Sequence, residues 1–308
     1  MDEEDTEDYS PLLKAVRNGH LNEVRSLVSQ GADVNQSDAE GWTPLVIAVK
    51  SKQIDVLMFL IDQGAEVRKY VKGKTALDFA VQFAQEGHLD VVKYLISQGA
   101  EVYTEAKCGK NAFLTAAQNG HLNVVKYLIS QGAEVNKRDE YAQEGHLDVV
   151  KYLISQGAEV YTEAKCGKNA FVTAAQNGHL NVVKYLISQG AEVNKATIYG
   201  WTALKDAAEN GRLDVVKYLI SQGAEVNTET TQGAEVNTGN NYGRTALNAA
   251  AQKGHRDVVK YLISQGAEVN ERGGHLDVTK YPISREAMEY RGYHAVRTSQ
   301  KLLLRMRI

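Results

Sequence analysis

The chain repeats one phrase from end to end, Gly-His-Leu-Asp-Val-Val-Lys-Tyr-Leu-Ile-Ser-Gln-Gly-Ala-Glu-Val or a near copy of it. The Gly that ends each Ser-Gln-Gly or its counterpart falls at Gly31, Gly64, Gly99, Gly132, Gly157, Gly190, Gly223 and Gly266, with spacings of 33, 35, 33, 25, 33, 33 and 43. A dominant period of 33 residues containing helical patterns restricts the chain to a stacked solenoid, in which each unit buries its apolar face on the next.

One unit, Gly200 to Asn227, shows the local code. Thr202 caps a short helix in which Leu204, Ala207 and Ala208 share a narrow apolar face, while Lys205, Asp206, Glu209 and Asn210 are expected elsewhere. Gly211 stands where a left-handed stop is wanted. A second helix follows through Leu213, Val215, Val216, Leu219 and Ile220 to the stop at Gly223, with Asp214, Lys217, Tyr218 and Ser221 on its other side. The corresponding caps are Ser10, Thr43, Thr75, Asn111, Asn169, Thr202 and Thr245, and Pro11 and Pro44 occupy the next position, where a missing N–H costs nothing. About ten polar residues, too few for a domain, separate each second helix from the next cap and suit a protruding hairpin.

These residues resemble the ankyrin repeats, whose unit is a β-hairpin finger followed by two antiparallel helices. Gly41-Trp42-Thr43-Pro44-Leu45 and Gly200-Trp201-Thr202-Ala203-Leu204 are similar to that family's Gly-x-Thr-Pro-Leu-His motif. The motif's His is replaced by Leu13, Val46, Asp78, Leu114, Val172, Lys205 and Asn248, so the side-chain hydrogen-bond network that the family builds there does not carry over to this chain as an expectation. The resemblance implies an all-α ankyrin-repeat solenoid of about seven full and two partial repeats over residues 9–284. An acidic lead precedes it at 1–8, and a basic tail follows at 285–308.

Departures from the period mark this particular chain. Residues 84–137 recur at 142–195 with one change, Leu114 to Val172. Identity that extends to solvent-facing positions points to recent duplication or to an artefact of sequence assembly, not to structural selection. At the junction, Lys137 to Ala142 must replace a finger and most of a first helix, so a truncated repeat near 138–160 and a defect in the stack are expected. Extra residues around Val81-Gln82-Phe83 amount to nearly one turn and are expected to lengthen that helix. A ten-residue echo, Gln222 to Thr228 again at Gln232 to Thr238, predicts a long finger at 228–242. In the tail, Pro282 replaces a core Leu and breaks the final helix pattern.

Charge is nearly balanced, with 35 basic against 38 acidic residues, and does not recommend nucleic acid as a partner. The acidic start lacks the parts of a secretory signal, and no apolar run reaches the roughly 18 residues of a membrane span. A soluble intracellular protein is expected, cytoplasmic or nuclear, without membrane insertion. Cys108 and Cys166 hold the same finger position in different repeats and do not pair. The sequon at Asn35-Gln36-Ser37 is read as coincidence.

Seven histidines, His20, His88, His121, His146, His179, His255 and His275, follow a Gly at the same point of their repeats. One per repeat, about 10 Å apart, they cannot gather the ligands that zinc holds at about 2 Å. No catalytic, metal or cofactor site is expected, and no small-molecule substrate. Tyr94, Tyr127, Tyr152, Tyr185, Tyr218 and Tyr261 recur on the polar side of the second helices, where packing on the adjacent repeat accounts for them better than binding does.

Recognition is expected on the fingers and the outward first-helix residues, which vary on a constant scaffold. Five successive fingers carry Arg68, Lys69, Lys72, Lys74, Lys107, Lys110, Lys137, Arg138, Lys165, Lys168 and Lys195 against Glu105, Asp139, Glu140 and Glu163, a surplus of +7 on a chain of net charge -3. Tyr70, Tyr103, Tyr141, Tyr161 and Tyr199, with Trp42 and Trp201, place aromatic rings among these charges, and Lys205 is counted with them on the binding face. The pattern predicts a non-enzymatic scaffold that holds a protein partner, in particular an extended acidic segment. The alternative is a piece of a larger ankyrin-type membrane-skeleton adaptor or of the cytoplasmic arm of a channel.

Overall fold

The structure, a computed structural model, describes residues 10–83, 89–102, 111–135, 144–160, 168–197, 200–227 and 245–267. Fifteen α-helices lie among them, seven to nine residues long. Two units divide the chain, one through Val135 and one from Asn136.

In the first unit, α1 (Pro11–Asn18), α3 (Pro44–Lys50), α5 (Ala76–Gln82) and α7 (Ala112–Gln118) are first helices and pack on one another in chain order. Each also packs on its own second helix: α2 (Leu21–Ser29), α4 (Ile54–Asp62), α6 (Leu89–Ser97) and α8 (Leu122–Ser130). In the second unit α9 (Leu147–Ser155) is a second helix without a described first helix before it. Complete pairs follow as α10 (Ala170–Asn177) with α11 (Leu180–Ser188), α12 (Ala203–Glu209) with α13 (Leu213–Ser221), and α14 (Ala246–Lys253) with α15 (Arg256–Ser264). The first helices α10, α12 and α14 form one layer, and α9, α11, α13 and α15 form the other.

The periodicity explains the core. Alanines fill the first-helix faces, as with Ala174, Ala175, Ala207, Ala208 and Ala250, all fully buried, and their small side chains let the helices of this layer approach. On the second helices Val215, Val216 and Leu219 are buried, as are their counterparts in every other described second helix except α2, where only Val24 is, while Leu213 and Ile220 at the edges of that face stay half-exposed. Each buried Leu or Val contributes about 1.5–3 kcal/mol. Leu114 and Val172, the single difference between the duplicated segments, both lie in this core.

All seven expected N-caps are made. The side-chain oxygens of Ser10, Thr43, Thr75, Asn111, Asn169, Thr202 and Thr245 each accept from the backbone N–H three residues on. Asp78, which stands in place of the family motif's His, returns a bond: its carboxylate accepts from the Thr75 N–H at 2.8 Å and completes a capping box. Burial nevertheless pushes the Asp78 carboxyl above its ordinary pKa, against the lowering effect of the Thr75 bonds.

Two expectations need correction. The extra residues near Phe83 do not lengthen their helix, because α5 ends at Gln82 and the Phe83 N–H closes it on the carbonyls of Phe79 and Val81. Lys205 and Asp206, placed off the apolar face by the sequence pattern, are 4% and 1% exposed. The fingers, among the described residues, are hydrogen-bonded turns with an isolated antiparallel bridge between Val71 and Lys74. That bridge flanks a tight turn in which Lys72 and Gly73 have φ of 49° and 79°, the positive pair that a two-residue hairpin requires.

Side chains also stitch consecutive repeats together. The Asn35 amide donates to the Gly64 carbonyl at 3.1 Å and accepts from the Glu66 N–H at 2.9 Å. Asn194 does the same to Gly223 and Glu225 at 3.0 and 2.9 Å, and Asn227 donates to Gly266 at 3.2 Å. At the other end of the repeat, Arg212 Nε donates to the Gln176 carbonyl at 3.0 Å and His255 Nε2 to the Glu209 carbonyl at 3.0 Å. These bonds satisfy carbonyls near helix and turn ends that have no intrahelical partner. The recurrent Gly-His is thus a packing device: the His255 ring lies over Gly211, where an added Cβ would come within 2.6 Å of it.

The lead at 1–8, the junction at 137–142, Cys108, Cys166, the long finger at 228–242 and the tail at 285–308, for which the sequence raised expectations, fall outside the described residues.

Candidate protein-binding surface

In the first unit the finger base and the first helices gather an aromatic and cationic cluster. Trp42 precedes the cap of α3, and its indole meets Phe79 of α5 edge-on at 5.4 Å between centroids. Phe79 in turn stacks on Phe83 at 6.4 Å, with planes 6° apart. Lys50, at the end of α3, places Nζ 3.9 Å from the Trp42 ring centre, and Lys72 of the next finger places its own at 4.3 Å. Lys74 lies 5.8 Å from the Phe79 ring centre and donates to Gln82 Oε1 at 2.6 Å. Each such cation–π contact contributes about 0.5–1 kcal/mol at an exposed site.

Carboxylate recognition already occurs here. Glu40, on the finger that carries Trp42, accepts from Lys72 Nζ at 2.6 Å and from the Trp42 indole N–H at 3.1 Å. Those two hydrogen bonds, with the Lys72 charge, hold its carboxyl below its ordinary pKa. The Lys50 ammonium is also held below its usual value, by partial burial first and then by the Lys72 charge.

Two other cations that the sequence singled out, Arg68 and Lys69, bond to neighbouring repeats. Arg68 occupies the place that Asn35 and Asn194 hold in their repeats, and it bridges to the next repeat as they do. Its Nε donates to the Gly99 carbonyl at 2.8 Å and Nη1 reaches Glu101 Oε1 at 2.7 Å. Lys69 Nζ donates to the Asn35 carbonyl at 3.1 Å. Exposed pairs of this kind contribute about 0–1 kcal/mol. Tyr70, beside them, is 46% exposed.

The second unit builds a different cluster around its tryptophan. Lys168 and Lys205 each place Nζ 4.5 Å from the Trp201 ring centre. Lys168 also reaches Asp206 Oδ2 at 2.7 Å and Gln176 Oε1 at 2.7 Å. Asp206 Oδ1 is buried without a hydrogen-bond donor, and burial raises the carboxyl pKa against the attraction of Lys168. Lys205, expected on the binding face, is a buried part of the packing around Trp201.

Of the residues expected to bind, Trp42, Lys72 and Lys74 converge, and Lys168, Trp201 and Lys205 converge separately. Tyr103, Lys107, Lys110, Arg138, Tyr161, Lys165 and Tyr199 fall outside the described residues. Sequence reasoning missed Lys50, Phe79 and Phe83, although one signal was present. Eight residues after the cap stand Asn18, Ser51, Asn119, Asn177, Asn210 and Lys253, all polar, and Phe83 alone breaks that series.

The tyrosine series is a packing ladder. Lys93 lies over Tyr127, Lys151 over Tyr185, Lys184 over Tyr218 and Lys217 over Tyr261, at 5.4–5.9 Å, each cation from the preceding repeat. Among the described residues no group of three His, Cys, Asp or Glu side chains could hold a metal ion, and no helix is long and apolar enough to cross a membrane.

Comparison with curated proteins finds no match for the chain. Two family descriptions match it: ankyrin repeats in three copies at residues 1–71, 69–139 and 140–230, and ankyrin repeats in many copies at 204–263. With capped helix pairs stacked in two layers and family matches running from residue 1 to 263, the chain belongs to the ankyrin-repeat family.

Proposed function

We propose that this protein is a non-enzymatic scaffold whose finger loops and first-helix layer hold an acidic, extended segment of a partner protein. Ankyrin repeats as a family are protein-interaction modules, and the array is read as about seven full and two partial repeats with their fingers as the variable edge. The observation that carries the reading is Glu40, whose carboxylate sits on Lys72 Nζ and the Trp42 indole N–H. A charged acceptor held by a cation and a ring N–H is what a partner's Asp or Glu would present, and Glu40, being exposed, is replaceable there. Lys50 at the end of α3 and Lys74 just before the cap of α5 add to the positive charge there.

The test is fluorescence anisotropy of a labelled peptide of alternating Glu and Ala against the full chain. Wild type is expected to bind, Lys69→Glu, Lys72→Glu and Lys74→Glu together to weaken binding at least tenfold, and Glu40→Gln to strengthen it by removing the internal competitor. Unchanged affinity in the triple variant overturns the proposal.

A further inference from the structure

We infer that Trp42, Phe79 and Phe83 form an aromatic ledge that receives one aromatic side chain of the partner, so that the recognised segment combines acidic residues with a Phe, Tyr or Trp. The inference rests on the acidic-segment reading above and adds the apolar half of the partner's motif.

The ledge is particular to this place. The residue four after the cap is Phe79 in α5, but Lys14, Ile47, Thr115, Thr173, Asp206 and Ala249 in α1, α3, α7, α10, α12 and α14. The residue eight after the cap is Phe83 here and polar in the six other complete units. In two of those units the residue at that position makes a side-chain hydrogen bond: Asn119 donates to the Gln82 carbonyl and Asn210 to the Asp206 carbonyl. Phe83 gives up such a bond and leaves its ring 36% exposed, one of four large apolar side chains so exposed among the described residues. Phe83 stacks on Phe79 at 6.4 Å between centroids, and Phe79 itself is 4% exposed, so Phe83 is the exposed end of the row.

Charge complementarity selects the occupant. Cations flank the row on Trp42 and Phe79, with Glu40 bound among them. A purely apolar helix would leave Lys50, Lys72 and Lys74 facing uncharged surface, whereas an acidic segment neutralises them and delivers its ring to Phe83. Ring-on-ring stacking adds to the burial of the incoming side chain.

Two labelled twelve-residue peptides, repeats of Glu-Glu-Phe and of Glu-Glu-Ala, are titrated against the full chain by anisotropy. The Phe peptide is expected to bind about tenfold tighter than the Ala peptide. Phe83→Asn, which installs the residue of the sister repeats, should narrow that ratio to about twofold, and Phe83→Leu should retain an intermediate ratio. Equal affinity of both peptides for wild type, or a ratio unmoved by Phe83→Asn, overturns the ledge and leaves the acidic-segment reading standing. Failure of both peptides to bind overturns both.

Discussion

At Asp206 the carboxyl group is buried beside Lys168, and burial outweighs the attraction of that cation. Because its native pKa is raised, the folded chain holds the proton more tightly than the unfolded chain does. Its contribution to stability is therefore lost as pH rises from about 3.8, the ordinary value, through the raised native one. Asp206→Asn should consequently gain in melting temperature relative to wild type as pH climbs through that window, and the difference should level off above it. A difference independent of pH would place the carboxyl in contact with water. Asn194 makes the opposite kind of contribution, because its amide satisfies both a carbonyl and an N–H of the next repeat. Asn194→Ala should cost about 1–2 kcal/mol, read from the urea midpoint. Neither role was legible in the sequence. Each depends on a partner 29 to 38 positions away, and a polar residue in a polar stretch gives no local sign that it is bridged or buried.

Among the elements, what the sequence made legible was what neighbours in the chain decide. Caps, glycine stops and the small-residue faces of the first helices follow from side chains within four positions of one another, and each stands where the pattern put it. The length of α5 and the aromatic row were missed because Phe83 reads as part of an insertion until its ring is seen stacked on Phe79, which in turn meets Trp42 from the preceding repeat. Two glycine stops separate backbone strain from packing. Gly211 has φ of +70° and lies under the His255 ring, whereas Gly223 has φ of +89° with nothing within 4 Å of an added Cβ. Either substitution to Ala costs about 1 kcal/mol for the left-handed backbone. Gly211→Ala must also displace the ring and its bond to the Glu209 carbonyl, so it should cost about 1 kcal/mol more than Gly223→Ala in parallel urea titrations. Equal losses would show that the ring moves aside freely.

At the scale of the whole molecule, helix pairs rest on their neighbours within each unit, so stability is built from repeat terms and interface terms in place of one central core. Those interfaces are unequally informative. The sequence Leu-Asp-Val-Val-Lys-Tyr-Leu-Ile-Ser is the same in α6, α9 and α13, and Leu-Asn-Val-Val-Lys-Tyr-Leu-Ile-Ser is the same in α8 and α11. Five of the eight described second helices therefore present the same apolar face, and that face cannot tell one position in the array from another. Addressing must come from features that differ between repeats: Arg68 in place of Asn, Arg212 in place of His, and the Ile47, Phe79, Thr115, Thr173, Asp206 and Ala249 series on the first helices. A collapsing chain can seat a second helix one repeat out of register and satisfy the same hydrophobic contacts, a near-degeneracy that tandem arrays of similar units meet in refolding. Sameness among the second helices thus leaves the alignment of the scaffold encoded in a handful of bridging and first-helix side chains.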